Sequence, residues 1–542
     1  MVTKRVRCSV ALSAPLMLLA VAACTGGGES DETEGQDPAE VFQVVDEDAD
    51  DVCEEGREGG SLTYRLTNEG AGFDPAVQSA NLQLAQAVFG TLVQWDNLTD
   101  SYEGYLAESI SGNDDSTVWT LKLRPEGEFP DGTPLDSAAV KRSIERFVHP
   151  DFPSTYTQRV AEIDTIETPD PLTVVFTLHE PWGTFPWTLA MAPGMIVNPT
   201  VLDSTSPEEL QSSPPEAAGA GAFTFDNYAR GASATVNGKS DWWAGPVCLE
   251  QLTVNFGTND AVADYDLMRS GQAQAMLTWE AQLLRTTIAD ESVKRYQVPG
   301  ADILTPIIFN HREPPGDDVR IRKAMQLAMD RDLISERNFE GLVYPEGGVV
   351  SPSGPFQPTV EPLGYDKEAA AELVEEAVAD GVDPSFTYIL SGTTNNENLA
   401  ILQQSLASEV GLDMETETMQ STEWVERVNV NRTFDAAQGG GTPHPSCVYC
   451  AYDPFLSTND AGNYSGTDSE AVDEALDVLK AASTPEETVE GLDALQTVWN
   501  EEAPQVQTLW MPQYLVVASN VHGVRFTSAA TPVLWDQVYI DE

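Results

Sequence analysis

Basic residues are scarce: the 542-residue chain carries 28 Lys plus Arg against 87 Asp plus Glu, a formal charge of −59. Such a chain repels nucleic acid and anionic lipid headgroups, so neither is expected as a partner. Histidine is scarcer still, with five in all, and leaves few general bases. No Gly-x-Ser-x-Gly, His-Glu-x-x-His or Gly-x-x-x-x-Gly-Lys-Ser/Thr pattern occurs, which removes the serine-hydrolase elbow, the zinc-protease helix and the phosphate loop. No enzyme activity and no cofactor are expected. Repeats, low-complexity breaks and a second long apolar run are missing beyond the N-terminal segment, as in one large folded body rather than beads on linkers. Hydrophobic residues make up 41% of the chain, enough for a core, so the acidity belongs on the surface.

The one long apolar run opens the chain. Lys4, Arg5 and Arg7 precede apolar Val10 to Ala23, and Val21-Ala22-Ala23-Cys24 closes with small residues. The run is too short to span a bilayer comfortably and reads as an export signal over residues 1–23. Val21-Ala22-Ala23-Cys24 also resembles the lipobox of bacterial lipoproteins, in which the cysteine, here Cys24, is lipidated and becomes the mature N-terminus. Residues 24–57, glycine-rich and then acidic, read as a solvated tether. The protein is therefore expected at the outer face of the cell membrane, held by a lipid anchor.

Four further cysteines lie in the mature chain: Cys53, Cys248, Cys447 and Cys450. Export places them in an oxidising setting, where two bridges are expected among three connectivities. Cys53 and Cys248 each lie a few residues before an expected strand, so the favoured pairing is Cys53 with Cys248 and Cys447 with Cys450; the other connectivities stay open. The stretch "HPSCVYCAYDP", His444 to Pro454, allows three readings: a disulfide staple, a zinc site from His444, Cys447, Cys450 and Asp453, or a redox dithiol. The dithiol reading wants a helix start, whereas Cys450-Ala451-Tyr452-Asp453-Pro454 has turn character. An oxidising setting favours the staple. His444, between two prolines, is expected in an exposed loop.

Strands and helices are legible by period. Trp119, Leu121 and Leu123 alternate in a half-buried strand, as do Leu172, Val174, Phe176 and Leu178, and Leu252, Val254 and Phe256. Asp136 is a plausible helix N-cap, with Val140, Ile144 and Phe147 on one face behind it. After the apolar run Pro306 to Phe309 comes a helix with Ile321, Ala324, Met325, Ala328 and Met329 on one stripe, where a second α/β half begins. Leu509 to Ser519 reads as one more buried strand.

Several stretches together carry a family likeness. "WTLKLR" at Trp119 to Arg124 runs into "PEGEFPDGTPLDSAAVKRSIERF" at Pro125 to Phe147. "FDPAVQSANLQLAQAVFGTL" at Phe73 to Leu92, "GAGAFTFDNYARG" at Gly219 to Gly231, "DWWAGP" at Asp241 to Pro246, "FNHREPPGDDVRIRKAMQLAMDRDLI" at Phe309 to Ile334 and "GYDKEAAAELVEEA" at Gly364 to Ala377 follow in order. The whole resembles the family 5 extracellular solute-binding proteins, the peptide- and nickel-binding receptors of ABC importers. The resemblance implies an α/β, two-lobed periplasmic-binding-protein-like fold of type II, cluster C. Lobe I would comprise residues 58–305 and the C-terminal return 511–542, and lobe II residues 306–510. Hinge crossings are expected near Thr305 to Asn310 and Leu509 to Tyr514. It further implies a monomeric receptor that closes on a small-molecule or peptide ligand and is recognised by an ABC permease in the cell membrane.

Trp424 and the amine-reading position follow from the same resemblance. In peptide-binding relatives a tryptophan on the helix before the ligand loop lines the pocket, and Trp424 matches its place. The relatives continue through Phe-Asp, here Phe434-Asp435, to an aspartate that pairs with the peptide amine three residues before an acidic residue and proline; Cys450 occupies that position here. Asp453 is the carboxylate left to take the amine. Phe73, Thr442, His444, Tyr449 and Tyr452 complete the expected ligand-binding set, and Trp182 and Trp187 are further aromatic candidates.

Overall fold

Alternation along Val118–Leu123 translates directly into burial, with Trp119, Leu121 and Leu123 facing the core. The structure, a computed structural model, describes residues 51–541 except 58, 67–68, 78–80, 151–153, 258–259, 393, 459, 461 and 528–532. The signal segment, Cys24 and the tether up to residue 50 lie outside the described residues. Among the described residues no helix is long and apolar enough to cross a membrane.

Lobe I is organised on a seven-stranded mixed sheet whose order is Val293–Gln297, Tyr514–Ala518, Ala275–Thr278, Ser61–Leu66, Gln251–Phe256, Ser233–Gly238 and Phe223–Ala229. Ser61–Leu66 is its parallel centre, with Tyr64 registered against Val254 on one side and Ala275 on the other. A second, antiparallel sheet stacks Ala107–Gly112, Val118–Leu123, Thr173–Leu178 and Ile163–Asp170 in that order. The helix Ser137–Glu145 is capped as its sequence indicates: the Asp136 carboxylate accepts the Ala139 N–H at 2.9 Å, and Val140, Ile144 and Phe147 are buried. Leu172 departs from expectation. It is 37% exposed, in the turn before the strand, where its N–H bonds the Asp170 carboxylate at 2.9 Å; the side-chain acceptor of Asp170 sets a tight turn that ends the alternation.

Lobe II is built on four strands in the order Ile307–Phe309, Ala436–Gln438, Ser385–Ser391 and Asp413–Met419. It has its own apolar core, to which the helix Val319–Ala328 contributes Ile321, Ala324, Met325 and Ala328. The chain leaves the large sheet after Gln297, enters the lobe II sheet at Ile307, and returns between Val506 and Tyr514. The two crossings pair with each other. Leu304 is registered on Trp510, and Ile307 and Val506 exchange both backbone hydrogen bonds at 2.9 Å. The expected single strand from Leu509 to Ser519 is two strands, Trp510–Met511 at the crossing and Tyr514–Ala518 in the large sheet. Pro512 has no N–H to offer a ladder, so the chain changes sheets there.

Cys53 and Cys248 are joined, with sulfurs 1.99 Å apart, and so are Cys447 and Cys450 at 2.04 Å. The first bridge sits where two strands start side by side: Gly59 N–H bonds Cys248 O at 2.8 Å, and Ser61 is registered on Gln251 two residues later. A β-carbon on Gly59 would lie 2.8 Å from the Cys248 carbonyl oxygen, so this approach requires glycine. The bridge closes a loop with a sequence separation of 195. Replacing both cysteines by alanine is expected to lower unfolding free energy by about 2–4 kcal/mol. Denaturant melts of the mature chain check this; an unmoved midpoint would show that the paired strand starts hold without the bridge.

Candidate ligand-binding cleft

The Cys-x-x-Cys segment is helical rather than a turn. Val448–Leu456 forms an α-helix with Cys447 as N-cap, its Sγ 3.2 Å from the Cys450 N–H, and with Pro454 inside the helix. Val448, Tyr452 and Leu456 recur four apart and are buried, and this stripe outweighs the one backbone bond that Pro454 forfeits.

One face of this helix looks onto the crossing strands. Ala451, Tyr452 and Phe455 border a narrow space with Leu304, Pro306 and Ile308 of the crossing, the loop residues Gly440, Gly441 and Pro443, and Tyr464 and Gln505. Its volume is about 10 Å³, close to the least that holds one water molecule. The side chains therefore nearly fill this space.

The other face grips lobe I. Arg159 Nη1 meets the Asp453 carboxylate at 2.6 Å, with both side chains largely buried, and its guanidinium lies 5.1 Å from the Tyr449 ring centroid. Trp182 packs edge-on against Tyr449 at 6.1 Å. The Tyr102 hydroxyl donates to the Ser446 carbonyl at 2.5 Å. On the next helix, Glu470–Ala481, Lys480 reaches back to Glu162 at 3.0 Å and Glu180 at 3.4 Å. Gly183 N–H donates to Lys480 O at 2.8 Å, and a β-carbon on Gly183 would fall 1.8 Å from Ala482 O. The two backbones touch at that point.

Tyr452 is the expected ligand residue that lines the space; its hydroxyl donates to Val349 O at 2.6 Å and its ring meets Trp499 at 5.3 Å. Thr442 stands between two lining residues, Gly441 and Pro443. Trp424 is half-buried one layer behind, against the cluster that holds Ile308 and Tyr464. Tyr449 and Asp453 face lobe I instead. Phe73 is 1% exposed and edge-on to Phe225 at 5.1 Å and Tyr228 at 5.8 Å, a lobe I core position apart from the cleft. Its neighbour Asp74 explains the stretch, since that buried carboxylate takes Arg146 at 2.6 Å. Trp182 is core, and Trp187 packs on Tyr156 at 5.9 Å.

His444 is buried rather than exposed. Its Nδ1 lies 2.8 Å from Ser446 Oγ, its ring is edge-on to Trp95 at 6.3 Å, and burial pushes its pKa down to about 3. The zinc reading also fails here, because the cysteines are bonded to each other and Asp453 is committed to Arg159. Among the described residues no group of three His, Cys, Asp or Glu side chains is arranged to hold a metal ion. The contributions of Phe455, Tyr464 and Arg159 were not apparent from the sequence. For Arg159 a signal existed: in a chain this poor in cations, one beside "PSTYTQ" invites a search for its carboxylate.

Two sheet-based lobes, joined by paired crossing strands around a cleft, define the type II solute-binding fold. Residues 101–463 match the bacterial extracellular solute-binding proteins, family 5 Middle, and the chain belongs to that family. It is an extracellular solute-binding protein rather than an enzyme. A Brucella ovis protein named as an ABC transporter peptide-binding protein is 24% identical over 474 residues, covering 84% of this chain and 88% of that relative. The substrate-binding protein CtaP of Listeria monocytogenes superposes with a TM-score of 0.76 at 19% identity, covering 90% of this chain and all of that one (100%). The oligopeptide-binding protein AppA of Bacillus subtilis, solved in complex with a nonapeptide, gives a TM-score of 0.74 at 19% identity, over 90% of this chain and 100% of its own.

The His444 pKa fixes a pH dependence. The ordinary imidazole value is 6.5 and the folded value about 3, so between them the unfolded chain binds the extra proton and stability falls as pH drops below about 6.5. By pH 5 the loss is about 2 kcal/mol from this residue. His444→Asn is expected to shrink the difference in melting between pH 7 and pH 5 relative to the parent chain; equal differences would place the proton uptake elsewhere.

Proposed function

We propose that this chain is a lipid-anchored, monomeric receptor that captures a peptide between its lobes and delivers it to an ABC permease in the cell membrane. The observation that carries this reading is the two-faced helix Val448–Leu456, which borders the cleft through Tyr452 and Phe455 and grips lobe I through Tyr449 and Asp453. A ligand touching one face changes what the other holds, so occupancy and closure are linked through one rigid element. The lobes, 58–305 with 511–542 and 306–510, move about the paired crossings. The nearly filled space must open to admit a peptide.

Peptide as the ligand class is supported by the names of the Brucella relative and of AppA. At the position where the family resemblance implies an amine-reading aspartate, this chain has Cys450, bonded to Cys447. Asp453, expected in that role, faces lobe I with Arg159 2.6 Å from its carboxylate, so an ammonium reaches it only where that ion pair opens. A charged hydrogen bond of this kind contributes about 1.5–3 kcal/mol.

Mass spectrometry of small molecules released from protein purified without dialysis is expected to show peptides, and those peptides, resynthesised, should bind with an affinity reduced at least tenfold by Tyr452→Ala. A bound metal chelate or sugar would replace the peptide assignment. At the N-terminus, Cys24→Ser is expected to move the protein from the membrane fraction to the medium; undiminished membrane retention would refute the anchor.

A further inference from the structure

A second cavity lies in lobe I, sharing no lining residue with the cleft. The strand Val93–Asp96, the end of Val118–Leu123, Trp242 and the C-terminal stretch around Arg525 and Asp536 enclose about 330 Å³, within the range of small-molecule sites. Gln94, Trp95, Arg124 and Arg525 line it, and each of these residues has a buried polar atom with no hydrogen-bond partner: Gln94 Oε1, Trp95 Nε1, Arg124 Nε and Arg525 Nη1. Trp95 is 4% exposed. Such an atom destabilises the fold if nothing satisfies it.

The identity of these atoms specifies a ligand. Three are donors, two of them on guanidinium groups, and Gln94 Oε1 is an acceptor. Acidic residues outnumber basic ones 87 to 28 in this chain, yet neither arginine is ion-paired among the described residues. The two carboxylates at the cavity are occupied. Asp96 Oδ1 takes the Leu98 N–H at 2.8 Å within its own turn, and Asp536 takes the Tyr105 hydroxyl at 2.9 Å and the Gln537 amide at 2.7 Å. Burial holds the Asp536 pKa above its ordinary value. Trp95 and Trp242 supply flat apolar wall.

We propose that this cavity is a second ligand site, for a small carboxylate with an aromatic body and a hydroxyl or amino substituent. Guanidinium groups match the two carboxylate oxygens in plane, the Trp95 indole N–H adds a donor, the rings take the body, and Gln94 Oε1 receives the substituent. The proposal stands whether the cleft takes peptides or not.

The test uses the mature chain and 4-hydroxybenzoate, followed by calorimetry and tryptophan fluorescence at fixed ionic strength, with 4-hydroxybenzamide as the neutral control. The expected result is saturable one-site binding of the carboxylate, at least tenfold weaker for the amide and for Arg124→Gln/Arg525→Gln, and unchanged in Tyr452→Ala. Circular dichroism establishes that the double variant folds. Should it not fold, crystals soaked with 4-bromobenzoate decide through the position of the bromine, expected beside Trp95 and Trp242. No saturable binding, equal binding by a folded double variant, or bromine confined to the cleft would overturn the proposal.

Discussion

The pairing of two strands at the waist constrains everything else in this protein. Leu304 on Trp510, and the reciprocal bonds of Ile307 and Val506, join the lobes by two chain segments that are themselves one small antiparallel ladder. The Thr305 and Thr508 hydroxyls, 2.7 Å apart and buried, tie the same level through their side chains. A ladder resists sliding along its hydrogen bonds while its ends bend and twist with little loss. The lobes are thus held in register at the waist, the point about which the proposed opening and closing would turn. Because Leu304 and Ile308 of this ladder also border the cleft, its floor is part of the mechanical element.

In the proposed receptor, closure must also overcome charge. A body at −59 repels itself, and salt at physiological strength screens only beyond about 8 Å. Contacts between the closing surfaces are far shorter than that. The chain answers with a cation from each side: Arg159, from lobe I, meets Asp453, and Lys480, from the segment that closes on it, meets Glu162 and Glu180. Arg159 and Lys480 are themselves buried, and each packs near the ring of Tyr449, at 5.1 and 5.7 Å. One aromatic face between two cations and three acids makes Tyr449 the centre of this contact, a structural role in place of the ligand contact expected of it.

Much of this was legible along the chain, because the signals were local. The alternation of Trp119, Leu121 and Leu123, the cap at Asp136, and the stripe from Ile321 to Ala328 are decided within ten residues of themselves, and the structure keeps them. What the sequence concealed depends on distant partners. Arg159 and Asp453 are 294 positions apart, and no period or motif links them. His444 looked exposed between two prolines, yet Trp95 and Ser446 enclose it. Phe73 sits in a family stretch that invites a ligand role, but Arg146 pulls its neighbour Asp74 into the core. The turn expected at Cys450 to Pro454 shows the same rule from the other side: a proline argues against a helix locally, and a buried stripe of Val448, Tyr452 and Leu456 overrides it through tertiary packing.

The bond between Cys447 and Cys450 gains its meaning from that helix. A loop this short removes little entropy from the unfolded chain and adds little global stability. What it fixes is the first turn, where Cys447 caps the helix and its sulfur lies 3.1 Å from Thr184 Oγ1 of lobe I. An unconstrained first turn would fray, since its N–H groups lack partners within the helix. Fraying would blur the position of Tyr449 and, one turn on, of Tyr452 and Asp453. In the proposed receptor one face of this helix would meet the ligand and the other lobe I, which requires the helix to act as a solid piece, and the covalent staple at its start stiffens it where Pro454 weakens its end.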